Sequence, residues 1–365
     1  MKFNFNMPVE IISGTDCVKN NVKTFNLGKK CLIVTGRRSA VASGALDDVK
    51  SVLDENGAEY TVYDKITENP LLSVCFEGGR TAIGFDADFV IGIGGGSVLD
   101  AAKAIAAFAA NENVDQKGLF TDCKNKPLPL IAIPTTAGTG SEGNNYAVIS
   151  LDGENKKRTF KNEWSYPDYA FLDAKYTLSL SKDYTVSTAL DAFCHCIESY
   201  LSPKSTVVSR LLSAWGAKTI LDIISIKQDG LTLCDREALL YASCAAGIAI
   251  NTTGTGFPHP LGYNITMFRA LPHGKACALF TEAYIDYNRK CDEGVRLTDA
   301  FFAAVGYTRD QICEITNGLC GFNDKLSDDE IELYLSKTAD AGNYQNSPYV
   351  INKDEMRAIY KKYCQ

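Results

Sequence analysis

The chain has 365 residues, 37 basic and 44 acidic side chains, a formal charge of −7 and only 3 histidines. That acidic balance excludes nucleic acid as the main partner, since phosphate binding needs a basic surface, and no apolar run reaches the ~20 residues of a membrane helix. The N-terminus lacks the apolar stretch and cleavage site of a signal peptide, so a cytoplasmic protein of one large domain or, better, two is expected.

The first half alternates strand and helix. Cys31–Thr35 is a short apolar run ending at Gly36, which reads as a buried strand. Leu46, Val49 and Leu53 recur at helical spacing until Asn56-Gly57. Tyr60–Tyr63 is a second strand, and 71–83 has room for another helix. Phe89–Ile93 is strand-like and enters Gly94-Gly95-Gly96-Ser97, followed by an alanine-rich helix from about Val98 to Ala110. Leu130–Ile133 makes a fourth strand, stopped by Pro134. This alternation predicts a mostly parallel sheet covered by helices. After the extended stretch Tyr166–Asp173 the pattern changes. Leu190, Phe193, Ile197 and Tyr200, then 207–224 and 238–250, follow helical spacing, Ser327 and Glu330 form a capping box, and 353–363 reads as a last helix. The prediction is an α/β domain over 1–180 and an all-α domain over 181–365.

Four clusters carry chemistry. The glycines of Gly94-Gly95-Gly96-Ser97-x-x-Asp100-x-x-Lys103 lie between a strand and a helix, where backbone approaches a ligand closely and free N–H groups meet an anion such as a pyrophosphate. The spacing departs from Gly-x-Gly-x-x-Gly, because Ser97 stands in the third glycine's place. Thr135-Thr136-Ala137-Gly138-Thr139-Gly140-Ser141-Glu142 puts hydroxyls at a strand's C-terminal end, where parallel sheets bind ligands. Asp191 and His195 share a helix face at i and i+4, with Glu198 one turn on. His259, between prolines, precedes Pro272-His273-Gly274 by fourteen residues. All three histidines thus fall in motif-like segments. With Asp191 they make a four-ligand set for a divalent cation, and imidazole with carboxylate suits Fe²⁺ or Zn²⁺. Cys194 and Cys196 flank His195, but helix geometry turns Cys196 about 100° away. The thirteen cysteines include no Cys-x-x-Cys pair, so reduced, packed thiols are expected.

These motifs, over nearly the whole chain, resemble the iron-containing (group III) alcohol dehydrogenases, whose fold is of the dehydroquinate synthase-like type. The resemblance implies a dinucleotide-binding N-terminal domain, a helical metal-binding domain and an active site in the cleft between them. By matching position it implies metal ligands Asp191, His195, His259 and His273, with Fe²⁺ first and Zn²⁺ as the alternative. It implies cofactor contacts at Asn69, Gly95, Gly96, Ser97, Thr135, Thr136 and Lys157, to which the motifs add Gly94, Asp100 and Thr139. Many members carry a further histidine four residues beyond the third ligand, followed by Pro-Leu-Gly. Here Pro-Leu-Gly follows His259 itself and Tyr263 stands in the extra histidine's place, a candidate for its proton relay beside ordered water. Matching on the tripeptide instead puts Thr255 at the third position, but the gap-free spacing to His273 and the poor donor quality of a hydroxyl favour His259.

The implied chemistry is hydride transfer between a nicotinamide cofactor and a small alcohol or aldehyde, assisted by a Lewis-acidic metal. Gly36-Arg37-Arg38-Ser39 after the first strand lacks the acidic residue that bonds ribose hydroxyls and repels a 2′-phosphate, which predicts NADP(H) over NAD(H). A polyol dehydrogenase, such as a glycerol dehydrogenase, is the enzyme alternative. An inactive dinucleotide- or metal-binding relative is the other. The resemblance also implies a homodimer or larger homo-oligomer.

Overall fold

The structure is a computed structural model that describes residues 3–154, 156–226 and 230–364. The described residues pack as two compact units, Asn6–Leu180 with Thr232–Leu240, and Ser181–Leu231 with Tyr241–Gln365 and Met1–Phe5.

The first unit runs β1 (Glu10–Ser13), α1 (Cys17–Asn20), β2 (Lys30–Gly36), α2 (Ser39–Ala42), α3 (Ala45–Glu55), β3 (Glu59–Ile66), α4 (Leu72–Gly84), β4 (Phe89–Gly94), α5 (Gly96–Ala109), β5 (Leu130–Pro134), β6 (Ala147–Leu151), β7 (Lys156–Phe160) and β8 (Tyr169–Leu172). Six strands form one sheet in the order β1-β8-β5-β4-β2-β3, every pair parallel. Alternation of side chains builds two cores from the same strands. Leu32, Val34, Val90 and Leu130 pack with Ile105 and Phe108 on one face. Cys31, Ile33, Ile91 and Ile131 pack with Val49 and Leu53 on the other.

Strand order positions the candidate site. The chain passes from β2 outward to β3, then crosses to the other side of β2 to make β4. Where order reverses, the crevice beyond the carboxyl ends of the strands is where open α/β sheets bind ligands. Thr35 pairs with Ile93, so Gly36 and Gly94 end adjacent strands at that point. Two elements were not expected. One is β1, whose partner β8 lies far along the chain, as Glu10 against Tyr169 shows. The other is the antiparallel β6–β7 hairpin. The stretch expected to be merely extended contains β8, between β1 and β5.

The second unit is helical. It contains α6 (Lys182–Leu201), α7 (Val207–Ile224), most of α8 (Leu233–Thr253), α9 (Pro258–Arg269), α10 (His273–Ala278), α11 (Thr281–Asn288), α12 (Asp292–Val305), α13 (Arg309–Cys320), α14 (Asp328–Thr338) and α15 (Lys353–Tyr363). Ser181 caps α6 by accepting from Tyr184 N, and from Ala189 to Leu201 every residue is buried. A helix enclosed on all sides is a central one, and α6 packs against α7, α10, α12 and α13. The Ser327/Glu330 capping box is present at α14. Among the described residues no helix is long and apolar enough to cross a membrane.

Candidate metal centre and nucleotide-binding turn

Three helices of the second unit bring the acid and the histidines together. Asp191 and His195 project from one face of α6, His259 is the second residue of α9 after Pro258, and His273 opens α10 after Pro272. Asp191 Oδ1 is the hub, 3.9 Å from His195 Nε2, 3.6 Å from His259 Nε2 and 3.7 Å from His273 Nε2. These separations are too long for hydrogen bonds. They are close to the ~3.4 Å between donors held tetrahedrally at about 2.1 Å from one ion. Asp191 Oδ1 and His259 Nε2 are buried and have no hydrogen-bond partner among the described residues. Buried polar atoms left in this way mark the place of a missing partner, and the donor set suits a divalent cation. The open side is at His273, whose side chain is 32% exposed, against 3% for His259.

Glu198, one turn beyond His195, orients His259. Both of its oxygens lie 2.9 Å from His259 Nδ1, and Gly256 N donates to Oε2 at 2.5 Å. The carboxylate fixes the proton on Nδ1, leaving the Nε2 lone pair for an ion. Burial alone would discharge His259, but Glu198 and Asp191 raise it to about 10. Burial likewise opposes ionisation of Asp191, yet the facing imidazoles hold it well below the usual carboxylate range. Thr255, the alternative third ligand, is occupied elsewhere, its Oγ1 accepting from Asn343 Nδ2 at 2.7 Å. Tyr263, one turn after His259, stacks on His273 with centroids 5.4 Å apart. Cys277, which the sequence reading passes over, has Sγ 3.7 Å from both ring nitrogens of His273. Its only sequence signal is the i, i+4 spacing from His273.

In the first unit, Gly95 precedes α5 and Gly96 is its first residue. A Cβ on Gly96 would stand 2.4 Å from Thr139 Cγ2, and one on Gly95 would stand 3.2 Å from Thr136. The threonine loop therefore lies directly on the glycine turn, and a side chain at position 96 would have to push Thr139 aside. Thr135 N donates to Gly94 O at 3.0 Å, and the buried Thr135 Oγ1 has no hydrogen-bond partner among the described residues. Asn69, in the left-handed region at φ 55°, donates from its N to Ser97 Oγ at 3.2 Å. Its Oδ1 accepts from Lys157 Nζ at 2.8 Å. Three distant segments thus meet at the start of α5. Gly36 is half-buried at the end of β2, Arg37 and Arg38 are exposed, and Ser39 opens α2.

Asp100, expected among the cofactor contacts, has both oxygens committed to protein. Oδ1 accepts from Ser141 Oγ at 2.6 Å and Oδ2 from Val148 N at 2.8 Å, so this side chain holds the loop. Lys103, one turn on and fully buried, donates to Ser141 O, Ser141 Oγ and Tyr146 O at 2.7 Å, and to Asn144 Oδ1 at 3.1 Å. Burial lowers it to about 8, against the pull of Asp100 and Glu142. Burial also pushes the Glu142 carboxyl up to about 7, and its Oε1 has no hydrogen-bond partner among the described residues. The folded chain then keeps a proton that the unfolded chain loses above 4.5, so stability falls as pH rises from 4.5 to about 7. Glu142→Gln should remove that slope and stabilise the protein above pH 7 by about 3 kcal/mol. Melting temperatures of both proteins across this range check it.

The comparisons with known proteins bear on both units. The iron-containing alcohol dehydrogenase family matches residues 8–174, and the C-terminal part of the Fe-containing alcohol dehydrogenase family matches 185–364. A sulfoacetaldehyde reductase of Bilophila wadsworthia is 32% identical over 75% of this chain and 73% of its own length. Alcohol dehydrogenase 4 of Saccharomyces cerevisiae is 29% identical over 92% of this chain and 91% of its own. An iron-containing alcohol dehydrogenase from Thermotoga maritima superposes with a TM-score of 0.91 at 32% identity, covering 99% of both chains. The expected α/β and helical architecture is therefore that of the relatives. The chain belongs to the iron-containing alcohol dehydrogenase family and is an oxidoreductase of alcohols and aldehydes.

Proposed function

We propose that the protein transfers hydride between the nicotinamide of NADP(H) and the carbinol or carbonyl carbon of a small alcohol–aldehyde pair. In this reading, residues 1–180 are the dinucleotide-binding domain and 181–365 the metal-binding domain. The observation that carries it is the convergence of three Nε2 atoms on Asp191 Oδ1. Asp191, His195, His259 and His273 would hold the cation, Fe²⁺ by preference and Zn²⁺ as the alternative. When bound, the cation supplies Lewis acidity toward a substrate oxygen. The protein's own residues do the rest. Glu198 keeps His259 in the tautomer that presents Nε2, and Gly94, Gly95, Gly96 and Ser97 with the N–H groups of α5 receive the pyrophosphate. Asn69, Thr135, Thr136, Thr139 and Lys157 orient the dinucleotide, while Asp100 acts on the loop beneath it. Tyr263, against His273 on the exposed side, is the residue we assign to proton exchange with solvent.

The choice of NADP(H) rests on the end of β2. Arg37 and Arg38 are exposed, no carboxylate lies beside them in sequence, and their guanidinium groups suit a 2′-phosphate. Initial rates at matched NADPH and NADH should favour NADPH, and Arg37→Ala/Arg38→Ala should bring the two together. A clear NADH advantage in the parent chain contradicts the assignment. We propose a cytoplasmic setting, in which the thirteen cysteines stay reduced, and a homo-oligomer, which sedimentation tests. The decisive experiment on the site is metal analysis with NADPH-linked reduction of a series of aldehydes. His259→Ala should lose bound metal and turnover together. Full metal occupancy in that variant would reassign the third ligand, and turnover confined to glycerol-like polyols would move the substrate class.

A further inference from the structure

We propose that Asn346 is a positioning residue for the metal centre, acting through one peptide unit on Glu198 and so on His259. This rests on the metal-site reading above. Asn346 is buried and closes the short turn Gly342–Asn346. Its Oδ1 accepts from Lys204 Nζ at 2.7 Å, and its Nδ2 donates to Thr255 O at 2.9 Å. An ammonium only donates, so Lys204 turns the amide with its NH₂ group toward Thr255. Thr255 O and Gly256 N belong to the same trans peptide, whose carbonyl and N–H point in opposite directions. Fixing the carbonyl on Asn346 therefore aims the N–H, and Gly256 N donates to Glu198 Oε2 at 2.5 Å. Among the described residues, that N–H is the carboxylate's one hydrogen-bond donor besides His259 Nδ1. The lock is needed because Gly256 has no Cβ to restrain rotation of this peptide. Rotation would withdraw the N–H and turn a carbonyl oxygen toward the carboxylate, leaving Glu198 without the support that holds it on His259. The amide is closely seated, since a Cβ on Gly254 would stand 2.7 Å from Asn346 Nδ2.

The test compares the parent chain, Asn346→Asp and Asn343→Ala, each full-length, freed of metal and titrated with Co²⁺ alone. Asn346→Asp keeps the shape of the side chain and its contact with Lys204 but removes the donor to Thr255 O. Its Co²⁺ affinity, read by competition with a chelator, should fall about tenfold or more. Asn343→Ala removes the bond to Thr255 Oγ1 from the same segment but leaves the peptide held, so its affinity should match the parent's. In the Zn²⁺-loaded proteins, the His259 Nδ1 proton should give a downfield resonance in the parent and in Asn343→Ala, lost in Asn346→Asp. Parent-like Co²⁺ affinity in Asn346→Asp overturns the proposal and leaves the metal centre standing. An equal fall in both variants makes the segment a general support and overturns it as well. Persistence of the Nδ1 resonance in Asn346→Asp overturns the path through Glu198. No Co²⁺ binding by the parent overturns the metal-site reading and this inference with it. Should Asn346→Asp fail to fold, Asn346→Ser, too short to reach Thr255 O, decides by the same measurements.

Discussion

Gly274→Ala should cost the protein its metal affinity and about 3 kcal/mol of stability. A Cβ at this position would stand 1.8 Å from Ser187 O and 2.8 Å from Asp191 N, both backbone atoms of α6. Backbone inside a central, fully hydrogen-bonded helix cannot yield as a flexible side chain would. The only relief is for α10 to withdraw by an ångström or more. His273, which we propose as a ligand, directly precedes Gly274 and moves with the helix, and Asp191 is the residue against which it moves. Misplacement on that scale is enough to dismantle a coordination shell. Metal content and thermal unfolding measured on the same sample check the prediction. Loss of stability with metal fully retained would show that α10 can tilt about His273 without disturbing it.

The second large effect is expected at Lys103. Replacing it with Met keeps the bulk of the side chain but removes the donors that hold Ser141 O, Tyr146 O and Asn144 Oδ1. It also leaves Asp100 without its nearby cation. Removing one member of a buried charged cluster costs about 3–5 kcal/mol. The functional consequence follows from what Ser141 is attached to, since Thr136 and Thr139 lie on the turn Gly95-Gly96 in the same segment. Lys103→Met should therefore raise the KM for the dinucleotide about tenfold or more while leaving metal content untouched. Lys103→Arg should not restore it, because a planar guanidinium is too large for a site that is 1% exposed. An unchanged cofactor KM in folded Lys103→Met would mean that the loop holds its place without the ammonium.

How much of this was legible depended on the distance over which each interaction acts. Strands β2, β4 and β5 were readable because each is buried on both faces and so forms a continuous apolar run, as in Cys-Leu-Ile-Val. Strand β1, Glu-Ile-Ile-Ser, is a short, half-buried edge defined by pairing with residues about 160 positions away. No local pattern announces it. The glycine turn and the Asp191/His195 pair were legible because their chemistry is local, set by strand-to-helix geometry and by helical spacing. Glu198 was visible as a neighbour of His195, but its bond to His259 spans 61 residues. Asp100 illustrates the converse. Its place in the motif suggested a ligand contact, whereas the hairpin that occupies its carboxylate begins at Ala147, beyond any local window.

The scarcity of histidine has a practical side. With only 3 in the chain, all gathered around Asp191, uniform isotopic labelling of imidazole becomes labelling of one locus. Each ring resonance in the spectrum of this 365-residue protein is then a reporter within a few ångströms of Asp191. The loading, exchange or loss of an ion becomes a three-line experiment that needs no assignment of the rest of the chain.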